Sequence, residues 1–346
     1  MRQFLVTGAN GHLGYNVCLL LKSEGYLVKA LVLPHDDATR LEQLGVDVFR
    51  GDVTKPSSLE HFFNCGYPSE TLLIHCAGIV SITNKNVAQL YKVNVEGSHY
   101  VIEMFKKYQL AKMVYVSSVH AIPEGEKGRL ITEPASFDGG QVVGDYAKSK
   151  AITSEFMKKQ SREGVPIVLV HPSGIIGPFD EGHGHLTMMI EDYLNGQLTS
   201  RVKGAYDFVD VRDVARGILA AALKGKSGES YILSGHLVDL KVFFDLLRKL
   251  SGRTRTINVL PTWFAHISAP LAEFYYRLRR RPPIYSKYSL YTISSNAYFS
   301  SAKAESELGY QKTSFEETIK ATVKWLSDSG KIKHKRVNRY IKEKLD

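Results

Sequence analysis

The sequence predicts an α/β fold, a doubly wound parallel sheet of the Rossmann type followed by a smaller C-terminal substrate lobe. Short apolar runs alternate with helical patterns from residue 4 to about residue 172, which is typical of a parallel sheet covered by helices on both faces. The first run, residues 4–6, leads into Gly8, Gly11 and Gly14 and then into a helical pattern. That order of strand, glycine turn and helix seats a dinucleotide pyrophosphate.

The other elements of the predicted sheet follow in chain order. Apolar runs predict strands at residues 26–33, 46–49, 71–76, 113–116 and 165–170. Helical periodicity predicts a long helix over residues 87–108 and another over residues 146–160. Small and polar residues follow the strands, and ligands of such sheets bind at the carboxyl ends of the strands. We therefore expect the functional residues at that edge.

The pattern also predicts domain boundaries. Residues 1–171 are expected to form the dinucleotide-binding domain, and residues 201–228 to return to it. Residues 172–200 and 229–330 are expected to form the substrate lobe, because the alternation weakens there. Aromatic residues in that lobe could form an apolar lid or a lobe core: Trp263, Phe264, Phe274, Tyr275 and Tyr276.

Composition excludes several classes of protein. Hydrophobic residues make up 44% of the 346 residues, too many for a disordered chain, and no apolar run reaches membrane-spanning length. The three cysteines suggest neither disulfides nor metal binding, and His183 and His185 lack an apparent third ligand. We therefore expect no metal. The first strand begins too close to the N-terminus to leave room for a signal peptide, so we expect a cytoplasmic protein.

The net charge of +10 is concentrated near the C-terminus. Residues 331–346 form a basic tail with seven Lys/Arg and two acids, a net charge of +5. Such a tail is usually solvated, and it is also compatible with weak peripheral attraction to an anionic membrane. No nucleic-acid-binding module is recognisable.

The strongest candidate for chemistry is the pair Tyr146 and Lys150, four residues apart on a predicted helix. An ammonium at about 5 Å lowers a phenol pKa of about 10 by about two units. The phenol then exchanges protons near neutrality. The same spacing recurs where no strand ending in serines precedes it: Tyr108 with Lys112, and Tyr340 with Lys344.

Other polar residues follow the predicted strands. Ser118 is expected to hydrogen-bond a substrate oxygen, with Ser117 as the competing choice. Asn94 interrupts an apolar helical stripe, where it positions a water or the lysine, or makes a packing hydrogen bond. Asp52 either accepts a hydrogen bond from an adenine amino group or caps a turn. His12, inside the glycine loop, is expected to contribute only its backbone.

In this order, these residues resemble the extended short-chain dehydrogenase/reductase family, within the NAD-dependent epimerase/dehydratase superfamily. Further matches are residues 75–78, 93–97, 171–178 and 208–215. The run 208–215 and the Leu-Gly-Tyr at 308–310 are most similar to dihydroflavonol-reductase-like and 3β-hydroxysteroid-dehydrogenase-like members. Those members act on less charged, often apolar, carbonyl or alcohol substrates.

The resemblance implies a role for each candidate. Tyr146 would be the acid/base, and Lys150 would lower its pKa and bind the nicotinamide ribose. Ser118 would orient the carbonyl, and Asn94 would support the proton relay. The residues implied to bind the cofactor are Gly8, Asn10, Gly11, His12, Leu13, Gly14, Asp52, Val53, Ala77, Gly78, Tyr146, Lys150, Pro172 and Ile175.

Three functions remain open from the sequence. The leading hypothesis is an NAD(P)-dependent oxidoreductase that interconverts a secondary alcohol and a ketone or aldehyde. The alternatives are a nucleotide-sugar epimerase or dehydratase with recycled NAD, which usually carries an arginine where Tyr206 stands, and a non-catalytic NAD(P)-sensing interaction protein. The choice of NAD or NADP is open, although Arg40 could contact a 2′-phosphate. Members of this family commonly form homodimers.

Overall fold

A computed structural model describes residues 2–81, 86–182, 184–198, 200–254, 256–261 and 287–345. His183 and the five aromatic residues considered for a lid lie outside these ranges.

The main sheet has seven strands, and all of its pairings are parallel. Its strands are β1 Gln3–Thr7, β2 Leu27–Val32, β3 Asp47–Arg50, β4 Thr71–His75, β5 Lys112–Val116, β6 Ile167–Pro172 and β10 Ser230–Leu233. Their order is β3-β2-β1-β4-β5-β6-β10. The order reverses between β1 and β4, which creates the crevice where ligands of open α/β sheets bind. The predicted Rossmann-type fold is confirmed.

The helices of the described residues are α1 His12–Ser23, α2 Thr39–Gln43, α3 Glu60–Phe63, α4 Val87–Tyr91, α5 Ser98–Lys107, α6 Asp145–Arg162, α7 His185–Leu194, α8 Val211–Lys224, α9 Leu240–Ser251, α10 Lys287–Ser294, α11 Ala302–Leu308, α12 Phe315–Asp328 and α13 Lys335–Leu345. Helices α1, α8 and α11 pack on one face of the main sheet, and α3, α5 and α6 pack on the other. Alternation along the strands divides the core: in β5, Val114 packs towards α1 and α8, whereas Tyr115 packs towards α5 and α6.

The helix predicted over residues 87–108 is interrupted. Helices α4 and α5 are joined by a π-helical turn, Lys92–Gly97, which contains Asn94. A π turn adds a residue to the helical repeat and often occurs at functional sites. Here it turns Asn94 inward, where its side chain is 1% exposed.

The second lobe is built around small sheets. Strands β7 Gly174–Ile176, β9 Ala205–Asp210 and β11 His236–Asp239 form one sheet, and β8 Ser200–Arg201 pairs with β12 Asn258–Val259. Their shared core includes residues from α7, α9, α12 and α13.

Two of the predicted domain boundaries differ from the structure. Strand β9 lies in the lobe, although residues 201–228 were assigned to the dinucleotide-binding domain. Conversely, β10 completes the main sheet, although residues 229–330 were assigned to the lobe. Both differences arise because β9 pairs with β7 and β10 pairs with β6, which are long-range contacts that local composition does not reveal.

The predicted basic tail is not a loose segment. Most of it forms α13, whose Val337 and Ile341 are buried against α9 and α12. The ring of Tyr340 lies against Gly252: a Cβ added to Gly252 would lie 2.8 Å from that ring. The charged side chains of α13 are exposed, as expected for a solvated tail, whereas its apolar positions, spaced four apart, form a buried stripe that the high charge conceals. Within the described ranges, no helix has the length and apolarity needed to cross a membrane.

Replacing Ile341 with alanine is expected to lower the free energy of unfolding by about 2–4 kcal/mol, because a large side chain that is 1% exposed would leave a cavity. Chemical denaturation followed by circular dichroism measures the change. Lys342→Ala, on the exposed side of the same helix, is the matched control and should have little effect. Equal stability of the two variants would show that α13 does not pack on the lobe.

Candidate active site

In the loop after β1, three backbone segments pack closely together: the loop itself, the residues just beyond β4 and the start of α1. Gly8 has φ +66°, and a Cβ there would lie 2.7 Å from the Ala77 backbone, just beyond β4. A Cβ on Gly14, in the first turns of α1, would lie only 2.1 Å from the Gly8 carbonyl oxygen. Glycine is therefore required at both positions by the shape of the loop.

The start of α1 is suited to an anion. Gly11 is its N-cap and supplies no side-chain cap, and the first turn contains no acidic residue. Its backbone N–H groups and the positive end of the helix dipole are therefore available to a phosphate. The cavity described below is lined here by Gly8, Gly11, His12, Leu13 and Gly14. This cradle fits the pyrophosphate of a dinucleotide.

The side chain of His12 does more than the sequence indicated. Its Nε2 lies 3.1 Å from the Pro178 carbonyl oxygen, and its Nδ1 lies 3.9 Å from Asp180 Oδ2. Burial lowers the pKa of His12. The expectation that only its backbone contributes is thus corrected, because the loop after β7 folds over the start of α1, a contact between distant parts of the chain.

Asn10 and Arg40 interact with each other. The Arg40 guanidinium donates to Asn10 Oδ1 (3.2 Å) and to the Phe179 carbonyl (3.2 Å), and it lies 4.2 Å from the centre of the Tyr15 ring. Asn10 Nδ2 donates to the Asp37 carbonyl (3.0 Å). Both side chains therefore brace the edge of the glycine loop.

Asp52 and Val53 follow β3, as predicted. Asp52 Oδ1 accepts hydrogen bonds from the backbone and side chain of Thr54, both at 2.9 Å. This is the turn cap that the sequence left open as the alternative. Val53 is buried and packs closely on Gly97: a Cβ added to Gly97 would lie 2.8 Å from the Val53 side chain. Their contact with adenine remains a prediction.

Tyr146 and Ser118 lie at the carboxyl edge of the sheet. Tyr146 is in the first turn of α6, and Ser118 follows β5. Both side chains line the same cavity, and Ser118 lies close enough to the phenol to lower the pKa of Tyr146. Ser117, the competing choice, instead bonds Ser154 at 2.7 Å. The structure thus pairs Ser118, rather than Ser117, with the phenol.

Lys150 lies one turn after Tyr146, but its ammonium interacts elsewhere. Its Nζ donates to the Val116 carbonyl at 2.9 Å and lies 5.2 Å from the centre of the Tyr115 ring. Burial lowers the pKa of Lys150 to about 8. Burial also raises the pKa of Tyr146 above its ordinary value, and the interaction with Ser118 only partly opposes this shift.

The predicted lowering of the Tyr146 pKa by Lys150 is therefore not what this arrangement produces. Helical spacing brought the two residues to one face, as expected. The spacing did not indicate that burial would be the largest influence on the pKa of both groups.

Asn94 joins the segment after β4 to α6. Its Oδ1 accepts from the Ile79 backbone N–H at 2.7 Å, and its Nδ2 donates to Ser149 Oγ at 3.1 Å. A Cβ on Gly78 would lie 3.3 Å from Asn94 Oδ1 and 3.4 Å from Lys150 Nζ. Asn94 and Lys150 thus meet at Gly78, one residue beyond the segment against which Gly8 packs.

Three aromatic side chains near Tyr146 were missed as site residues. His120 Nε2 lies 2.8 Å from the Tyr206 hydroxyl, and its ring lies 6.1 Å from that of Tyr146 and 5.8 Å from that of Tyr288. Burial lowers the pKa of His120 to about 4, so it is neutral at pH 7. The position of His120, two residues after Ser118, could have marked it as a site residue. Its partners Tyr206 and Tyr288 are distant in sequence and could not be found in this way.

One cavity of about 870 Å³ connects these features. It runs from the glycine loop past Ser118, Tyr146 and Lys150, where Pro172 and Ile175 also line it, to the second lobe. The lobe contributes apolar side chains, including Leu186, Met188, Met189, Phe208, Leu240 and Ile293. A dinucleotide site and an apolar chamber therefore meet at the phenol.

Comparison with known proteins identifies the family. Residues 4–234 match the model of the NAD-dependent epimerase/dehydratase family. The chain belongs to this family. It is an oxidoreductase of the extended short-chain dehydrogenase/reductase type, and its cofactor is NAD or NADP, as the sequence predicted.

Individual proteins resemble the chain over nearly its whole length. It is 28% identical over 335 residues to sterol demethylase protein B of Methylococcus capsulatus, with 95% of this chain and 99% of that protein covered. It is 28% identical to a putative dihydroflavonol 4-reductase of Synechocystis, with 95% and 96% covered. The crystal structure of gox2253 is similar with a TM-score of 0.83 and 27% identity, covering 96% of this chain and all of that one.

Replacing Gly14 with alanine is expected to abolish measurable dinucleotide binding, because the added methyl group would lie 2.1 Å from the Gly8 carbonyl oxygen and force the loop open. Titration calorimetry with NAD and with NADP measures the loss. Gly66→Ala is the matched control, since nothing lies within 4 Å of a Cβ there. Unchanged affinity in Gly14→Ala would show that this loop does not hold the cofactor.

Proposed function

We propose that the enzyme interconverts a secondary alcohol and a ketone or aldehyde by reversible hydride transfer with NAD(P)(H), and that Tyr146 is the acid/base. The observation that carries this proposal is that Tyr146 and Ser118 line the same cavity as the glycine loop. Lys150 lines the same part of the cavity.

In the direction of reduction, the carbonyl oxygen of the substrate accepts hydrogen bonds from Ser118 and Tyr146. A reduced nicotinamide, held by the glycine loop and Lys150, would supply the hydride for the carbonyl carbon. The Tyr146 hydroxyl gives its proton to the oxygen, which completes the alcohol and leaves a phenolate. The Lys150 ammonium, one helical turn away, would hold the nicotinamide ribose.

The electrostatics of the pocket suit a proton donor. Because burial raises the pKa of Tyr146, the phenol holds its proton at neutral pH. Proton transfer from a positioned side chain typically accelerates such a reaction by about 10²–10⁴-fold. Asn94 acts as a positioning residue in this proposal, since it holds the segment that carries Gly78 against α6.

The lining favours an uncharged, largely apolar substrate. The lining residues that the structure describes include no arginine that could pair with the diphosphate of a nucleotide sugar. The names of two relatives refer to a sterol and a dihydroflavonol, which are uncharged ring compounds. We therefore favour a ring-containing alcohol or ketone over a nucleotide sugar.

Tyr146→Phe is expected to lower kcat for ketone reduction by about 10²–10⁴-fold, because the variant cannot donate the proton. The decrease in nicotinamide absorbance, followed with a panel of apolar ring ketones, measures the rate. Tyr108→Phe is the matched control: it shares the Tyr-x-x-x-Lys spacing, but its hydroxyl bonds Glu60 at the protein surface. Undiminished turnover in Tyr146→Phe would exclude Tyr146 as the acid/base.

A pH profile tests the role of Lys150. Since burial lowers its pKa to about 8, the side chain is an ammonium below pH 8 and a neutral amine above it. Reduction needs the ammonium, so kcat/KM should fall as the pH rises through about 8. Rates measured from pH 6 to pH 10 in buffers of constant ionic strength show this limb, and a flat profile over that range would contradict the assignment.

A further inference from the structure

The outer side of α13 presents a group of cations. Lys335, Arg339 and Lys342 follow an i, i+4, i+7 spacing, which places them on one face of the helix, and Arg336 lies beside them. All four are exposed. We call these four residues the cationic face. It lies opposite the apolar stripe that packs into the lobe.

Most of this charge is not neutralised by neighbouring carboxylates. Arg339 pairs with Glu343 at 2.8 Å. Within the described part of the chain, Lys335, Arg336 and Lys342 form no ion pair. The cationic face therefore offers unpaired charges to an anionic surface.

The same helix begins at the rim of the cavity. Asn195 Oδ1 accepts a hydrogen bond from the Lys333 backbone N–H at 2.6 Å, and Asn195 Nδ2 donates to the Lys331 carbonyl at 3.1 Å. Both Asn195 and Lys333 line the cavity. The polypeptide thus passes from the cavity wall into the cationic face within two residues.

From these contacts we propose that the cationic face docks the enzyme on an anionic lipid bilayer and brings the rim of the cavity to the membrane surface. Charge complementarity selects anionic headgroups. The cavity whose wall leads into α13 also contains the apolar chamber, which favours a bilayer over a nucleic acid because an apolar ligand accumulates in lipid. The proposal that the cationic face binds a bilayer depends on the geometry of α13. The proposal that substrate reaches the cavity from the bilayer rests on the proposed function.

Vesicle flotation tests the docking. The full chain is mixed with vesicles of phosphatidylcholine alone, or of phosphatidylcholine and phosphatidylglycerol in equal parts, at low and high salt. The protein is expected to float with the anionic vesicles at low salt and to be released at high salt, since salt screens exposed charges. No flotation with anionic vesicles, or equal flotation with both compositions, would overturn the proposal.

Charge reversal locates the binding surface. The triple variant Lys335→Glu, Arg339→Glu and Lys342→Glu is expected to bind anionic vesicles roughly a hundredfold more weakly. The control, Lys55→Glu, Lys159→Glu and Lys224→Glu, makes the same change in net charge at exposed positions elsewhere and should keep most of the binding. An equal loss in both variants would show a general charge effect and no docking face. Binding of the cationic face to duplex DNA without vesicle binding would assign it to nucleic acid instead.

An activity measurement separates this proposal from the proposed function. The charge-reversed variant should reduce a water-soluble ketone as fast as the unmodified enzyme, and it should be slower only with an apolar ketone presented in anionic vesicles. Equal rates with the vesicle-borne ketone would overturn delivery from the bilayer. A failure of the unmodified enzyme to reduce any ketone would refute the proposed function, while flotation would still decide the docking.

Discussion

The contact on which the rest of the site depends is the packing of backbone against backbone at Gly8, Gly14 and Ala77. The ends of β1 and β4 and the start of α1 approach so closely there that no side chain fits between them. This approach fixes the direction of α1 relative to the sheet and so aims its free N–H groups into the crevice. Gly78, the next residue after Ala77, then lies against Asn94 and Lys150. The glycine loop and α6 are consequently held together through one short segment.

Burial governs the chemistry that this framework presents. Tyr146, Lys150 and His120 are all shifted towards their neutral forms, because removal from water penalises charge. A neutral phenol and a neutral imidazole are suited to an uncharged substrate. The Lys150 ammonium, one helical turn from the phenol, donates to the Val116 carbonyl. This part of the pocket therefore places a buried amine near two groups that are neutral at pH 7.

The second lobe is connected to the cofactor site by the loop after β7. His12 and Asn16, on α1, both bond the Pro178 carbonyl oxygen, at 3.1 and 3.2 Å. Asp180 also accepts the Gly184 N–H at 2.8 Å, just before α7 begins. Helix α7, which supplies much of the apolar chamber, is thus positioned by contacts with α1, the helix that begins at the glycine loop. This arrangement links the site of the substrate to the site of the cofactor without a long rigid element between them.

The sequence by itself determined the parallel sheet, the glycine turn and the pairing of Tyr146 with Lys150 on one helical face, because each depends on local spacing. Only the tertiary structure decided which serine meets the phenol, that His120 meets Tyr206 from 86 positions away, and that α13 is packed into the lobe. It also reversed the expected shift of the Tyr146 pKa, since desolvation depends on every segment that covers a group. Local periodicity fixes which residues share a face, whereas burial and long-range contacts fix what those residues can do.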